Sequence, residues 1–133
     1  MEVHVIRLVP GDNLQEKLVE FVKAKNLQNA FIITCVGSLT QAKIRLANAN
    51  LTRDFDGHFE IVSLVGTIDP DGGHHLHISI SDDKGDVFGG HVFSDHIVYT
   101  TAEIVIGSAK GLSFSREHCD KSGWPELVVK KTE

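Results

Sequence analysis

Four of the eight histidines lie close together in the chain, at positions 74, 75, 77 and 91. Side chains alternate between the two faces of a strand, so His75 and His77 share one face, while His74 lies on the other with the apolar Leu76. Imidazole is a ligand for zinc, nickel, copper and iron, and three imidazoles with one open position are typical of a tetrahedral zinc site. The spacing therefore indicates a metal site rather than scattered surface histidines.

A turn between His77 and His91 decides whether the third histidine can join the other two. Residues 83–85 can form a three-residue hairpin loop that ends on a glycine in the left-handed conformation. That loop pairs Asp82 with Asp86, and counting back along both strands places His91 opposite His77. A four-residue loop would shift the register by one and remove His91 from the cluster. With the three-residue loop, we predict that the three histidines bind one metal ion and that this ion is zinc.

Two carboxylates in otherwise apolar strands, Glu60 and Glu103, could serve such a site. A carboxylate near a bound metal can orient a ligand by a hydrogen bond or act as a general base. The alternative is that both are polar residues on an exposed sheet face. Two classes of function stay open: a metal-containing module that has a regulatory role or binds a small ligand or partner, and a metal-dependent hydrolase or lyase acting on a small molecule.

The elements that must position these residues follow from hydrophobic periodicity. A first strand ends at Pro10-Gly11, and Asp12 is predicted to cap a helix that ends near Asn26. Short apolar runs then predict strands, separated by turn-forming residues such as Gly37-Ser38. The predicted strands are 30–36, 42–48, 59–68, 74–81, 86–93 and 102–106, with further edge strands at 112–114 and 127–129. We expect an α+β fold with a large, mostly antiparallel sheet and one main N-terminal helix.

Composition limits the remaining possibilities. A chain of 133 residues fits one domain, 1–133, and its net charge of -5 disfavours binding to a phosphate backbone by this chain alone. Its two cysteines, Cys35 and Cys119, form no disulfide framework or paired-cysteine zinc motif. The sequence contains neither a signal peptide nor a stretch able to span a bilayer, so we expect a cytoplasmic protein, or a nuclear one, without membrane contact.

Several short motifs, taken in order, resemble the PPC domain, the plants-and-prokaryotes-conserved family. The similarity extends over roughly residues 5–112. The motifs are Pro10–Leu14, Gly37–Leu39, Phe59–Ile68, His75–His77, Gly85, Gly89–His91 and Thr101–Ile106.

This resemblance implies a homotrimer in which His75, His77 and His91 bind zinc near the subunit boundary. The open coordination position of three histidines would leave room for a small-molecule ligand at the metal. Plant members carry the domain behind AT-hook segments that bind DNA. The present sequence has no Arg-Gly-Arg-Pro hook and keeps the histidines that plant members generally lack. It is therefore most similar to the stand-alone prokaryotic type, and DNA binding does not carry over.

Overall fold

The computed structural model describes residues 1–48 and 50–132, which form one helix and seven strands. In chain order these are β1 (Glu2–Leu8), α1 (Leu14–Ala24), β2 (Ala30–Arg45), β3 (Thr52–Ile68), β4 (His74–Ser81), β5 (Val87–Ser108), β6 (Leu112–Cys119) and β7 (Trp124–Lys131). The predicted α+β fold is confirmed. Within the described residues, no helix is long and apolar enough to cross a membrane.

Five strands form one antiparallel sheet in the order β1-β5-β2-β3-β4, and β4 also pairs with β5. Strands β2 to β5 therefore close into a barrel-like ring. Closure is possible because β5 is long enough to serve two neighbours on one edge. Its segment 87–91 pairs with β4 and its segment 102–108 pairs with β1, while β2 runs along the other edge.

Strands β2 and β5 are each continuous where the sequence predicted two separate strands. The predicted break at Gly37-Ser38 is wrong, because residues 30–45 form one strand with register shifts near Leu39. A side chain at Gly37 would collide with the backbone of Thr101 on β5. The glycine therefore allows close approach of two strands and does not end either of them.

Helix α1 packs its apolar face on β5. Three fully buried residues spaced four apart make this face: Leu14, Leu18 and Val22. The predicted cap at Asp12 is wrong, since the N-cap is Asn13, whose side chain makes no capping hydrogen bond. The Asp12 carboxylate instead accepts a hydrogen bond from the Val9 backbone at 3.0 Å. At the other end Asn26 has a φ of 52°, the left-handed conformation predicted there.

The two predicted C-terminal edge strands are present, but they pair with each other as a separate β6–β7 hairpin. The buried amide of Asn29 ties this hairpin to the start of β2. It donates to the backbone carbonyls of Ala109 and Leu112 and accepts from the Ala109 N–H at 2.7 Å. One side chain thus satisfies three backbone groups that would otherwise lack partners.

Replacing Asn29 with Ala should lower the free energy of unfolding by about 2 kcal/mol or more, because it leaves buried polar groups unpaired. The control is Gln28→Ala, since the Gln28 side chain is exposed and bonds only to Asn26. That substitution should change stability by about 0.5 kcal/mol at most. Urea unfolding measures both, and equal effects would contradict this role of Asn29.

His96 is completely buried, and its Nδ1 lies 2.8 Å from the carbonyl oxygen of Ser94. Burial lowers the pKa of His96 to about 4 from its usual 6.5, against the opposing influence of the Ser94 hydrogen bond and of Asp95. Between these two pH values the unfolded chain carries a proton at this ring that the folded chain lacks. Stability should therefore fall as the pH is lowered through this window.

Through His96 alone, the free energy of unfolding should fall by at most about 1.4 kcal/mol for each pH unit. His96→Asn keeps a donor for the Ser94 carbonyl and removes the titrating group. Urea unfolding at pH 7 and pH 5 should show a smaller loss of stability for this variant than for the parent. The same loss in both proteins would mean that His96 does not titrate as its burial implies.

Candidate metal centre

Strand β4 presents His75 and His77 outward because its apolar residues fill the barrel. Leu76, Ile78 and Ile80 are buried, whereas His75 and His77 are exposed. This alternation is the one predicted from the sequence. Burial of three branched side chains fixes which face of β4 points to solvent, since a slip of one residue would bury both histidines.

The turn after β4 has the predicted three-residue form. The Asp82 N–H donates to the Asp86 carbonyl at 3.0 Å, and Gly85 has a φ of 81°. The register that follows pairs His77 directly with His91 on β5. The β4–β5 ladder ends at this pair, so His91 lies where β5 leaves β4.

Glycines on the neighbouring strands let the backbones approach around the histidines. A Cβ on Gly66 would collide with the His75 carbonyl, and one on Gly90 would lie 2.6 Å from the Arg45 carbonyl. A Cβ on Gly89 would similarly lie 2.5 Å from the carbonyl of Ile78. Larger residues here would push apart the strands that carry the histidines.

The imidazoles of His75, His77 and His91 converge on one point. One ring nitrogen from each lies within 4.8 Å of the other two, and the ring centroids are 5.0 to 5.7 Å apart. Tetrahedral zinc, with bonds of about 2.0–2.1 Å, needs the nitrogens about 3.4 Å apart, a distance that small side-chain rotations can reach. These three histidines could therefore hold a metal ion, and the donor set suits zinc as well as other imidazole-binding metals.

Two of the three rings are held in the neutral form that binds metals. Partial burial, with the nearby Arg45 guanidinium, lowers the pKa of His91 to about 4. Burial and then the neighbouring His77 lower the pKa of His75. Because both pKa values lie below 6.5, neither ring needs to lose a proton at neutral pH before it coordinates.

Arg45, at the end of β2, belongs to this site although sequence reasoning did not identify it. It is paired with His91, which is paired in turn with His77. Directly opposed residues share a face, so the three side chains form one row across β2, β5 and β4. The signal was the register between β2 and β5, which no local sequence pattern reveals.

A cavity of about 420 Å³ lies between this row and the β6–β7 hairpin. Arg45, His75 and His91 line it, and they also line a smaller cavity of about 320 Å³ on the side of His77. The hairpin contributes Trp124, Pro125, Glu126 and Arg116 to the larger one. The histidines therefore lie at the boundary of two concave surfaces that share Arg45, His75 and His91.

An ion pair fixes the hairpin to the barrel beside this cavity. The Arg116 Nε lies 3.1 Å from the carboxylate of Asp69, which is 1% exposed, and another guanidinium nitrogen donates to Thr67 at 3.0 Å. Since Asp69 directly follows β3, the pair joins β6 to the end of the barrel. Removing one partner would leave the other charge unpaired, which is costly for the buried Asp69.

The two carboxylates considered as possible partners of the metal lie elsewhere in this chain. Glu60 is paired with Ser81, four residues along β4 from His77, a distance of about 13 Å at 3.3 Å per residue. Glu103 is paired with Arg7 on β1 and lies within hydrogen-bond distance of the Thr101 hydroxyl. Neither lines the cavities beside the histidines.

Known structures contain the same fold. A hypothetical protein from Salmonella is 39% identical, with a TM-score of 0.96 over 99% of this chain and 95% of that one. A protein from Archaeoglobus fulgidus described as metal-containing is 23% identical, with a TM-score of 0.79 over 96% of this chain and 94% of that one. The second likeness establishes the fold only.

Two further proteins with similar sequences are longer than this chain. The bifunctional protein GlmU of Synechococcus sp. (strain JA-3-3Ab) is 37% identical over 131 residues, which are 98% of this chain and 21% of that protein. The chain thus spans about a fifth of the length of this relative. The AT-hook motif nuclear-localized protein 2 of Arabidopsis thaliana is 27% identical over 89% of this chain and 37% of that protein.

The family model of the Plants and Prokaryotes Conserved (PCC) domain matches residues 1–110, which contain all three histidines. This is the family, also written PPC, that the sequence motifs resemble. The β6–β7 hairpin, residues 112–131, lies outside the match. The chain belongs to the Plants and Prokaryotes Conserved domain family.

Proposed function

We propose that this protein is a homotrimeric, zinc-binding module that recognises a small ligand or partner at an ion held by His75, His77 and His91. The observation that carries this proposal is the convergence of three imidazole nitrogens within 4.8 Å on one outward face. Three neutral ligands leave a coordination position for an external group, which is the arrangement of zinc sites that act on or bind another molecule. The metal-containing relative from Archaeoglobus fulgidus supports the same reading.

The outer face of the sheet supports self-association. Large apolar side chains are exposed on three strands of this sheet, β1, β2 and β3: Val5, Val36, Val62 and Val65 are 69%, 59%, 55% and 54% exposed. Val65 is paired directly with His77, so the apolar face reaches the histidines. Exposed apolar patches of this kind mark protein interfaces. We infer a trimer in which the metal lies near the subunit boundary.

A binding role is our first proposal, with catalysis as the alternative. The hydrolase or lyase alternative needs a group near the metal to move protons. The candidates Glu60 and Glu103 lie along other parts of the sheet, which leaves Glu126, in the cavity lined by His75, as the carboxylate for that role. A role in DNA binding, suggested by the plant relative, is disfavoured by the net charge of -5.

Replacing His77 with Ala should reduce bound zinc from about one ion per chain by tenfold or more at limiting zinc, because it removes the ligand paired with His91. The control is His118→Ala, a histidine on the β6–β7 hairpin with a side chain that is 65% exposed. The protein is supplied with zinc, and unbound zinc is removed. Elemental analysis then gives the number of zinc ions per chain. Equal zinc loss in the two variants, or no zinc in the parent, would overturn the proposal.

The parent should have three times the 14.6 kDa mass of one chain in light scattering. Val62→Lys should shift the mass toward that of a single chain, because it places a charge in the proposed interface. Val129→Lys is the control, since Val129 is about as exposed but lies on β7. A parent that is monomeric at micromolar concentration would exclude the trimer.

A further inference from the structure

Arg45 is the cation that borders the histidines without an anionic partner. Within the described part of the chain, no carboxylate lies within 4.0 Å of its guanidinium, whereas Arg116 in the same cavity is paired with Asp69. Arg45 is half-buried and lines both cavities beside the histidines. A guanidinium placed this way has its fork of donors available to a ligand.

The charges around the larger cavity also indicate that its ligand is an anion. Its charged lining consists of Arg45, Arg116, Asp69 and Glu126, which balance one another. Neutral imidazoles add no negative charge, so a divalent ion at the histidines would leave two positive charges without compensation. Such a surplus in a partly closed cleft attracts anions.

The walls of the cavity define the rest of the ligand. Trp124, which is 58% exposed, and Pro125 line the same cavity as His75 and His91, and its volume of about 420 Å³ suits a small organic molecule. An indole and a proline ring offer apolar contact to a flat or aliphatic body. With a metal ion at the histidines, the cavity would combine an excess of positive charge with an apolar wall.

Building on the proposed metal site, we propose that this cavity binds a small organic oxyanion. Its carboxylate or phosphate group lies between Arg45 and the metal held by the histidines, and its apolar body packs on Trp124. The planar Arg45 fork matches either head group by paired hydrogen bonds. Arg45 is then the residue that selects charged over neutral ligands.

The only tryptophan of the chain lines this cavity, so its fluorescence reports occupancy directly. Benzoate, phenyl phosphate and the uncharged benzyl alcohol are titrated into zinc-loaded parent, Arg45→Met and Lys84→Met. Lys84 is exposed at the β4–β5 turn, so its replacement makes the same change in net charge away from the cavity. Zinc content is measured on every sample.

We expect benzoate or phenyl phosphate to bind saturably to the parent and to Lys84→Met. Binding to Arg45→Met should be weaker by about tenfold or more. Arg45→Met should nevertheless keep its zinc. The tighter of the two probes identifies the head group. If zinc is bound but neither anion binds, if Arg45→Met binds like the parent, or if benzyl alcohol binds equally well, this inference is wrong and the metal site stands. If the parent binds no zinc, the proposed function and this inference both fail.

Discussion

The pairing of β4 with β5 is the constraint on which the candidate site depends. It places His77 opposite His91, and it also closes the ring of strands that encloses the apolar core. The buried Leu76 and its neighbours on β4 oppose any slip in register, because a shift of one residue would exchange them with the histidines. The free energy that stabilises the core therefore also holds the imidazoles together.

Arg45 introduces an electrostatic conflict into this arrangement. Its charge helps to lower the pKa of His91 and so favours the neutral, coordinating ring. The same charge repels a metal cation at that ring. An anionic ligand between the two cations relieves the repulsion, so ligand and metal should strengthen each other's binding. If the proposed metal and ligand bind together, this coupling would make the site more responsive to a charged ligand than three histidines alone.

The sequence predicted the part of the site that is local. Alternation along β4 and the loop at Gly85 were enough to group His75, His77 and His91, because both depend on residues close in the chain. Arg45 and the cavity wall from Trp124 could not be predicted. They depend on how β2 pairs with β5 and how the β6–β7 hairpin folds back, which are contacts between residues distant in sequence. Gly37 was misread for the same reason, since its role is to let another strand approach.

The most direct test of the account is X-ray absorption spectroscopy at the zinc edge of the zinc-loaded protein, because it reports the atoms bound to the ion. The account predicts about three imidazole nitrogens at 2.0–2.1 Å together with one oxygen ligand at a similar distance. A sulfur ligand near 2.3 Å, which would indicate Cys35 or Cys119, or a shell of oxygen atoms alone would contradict it.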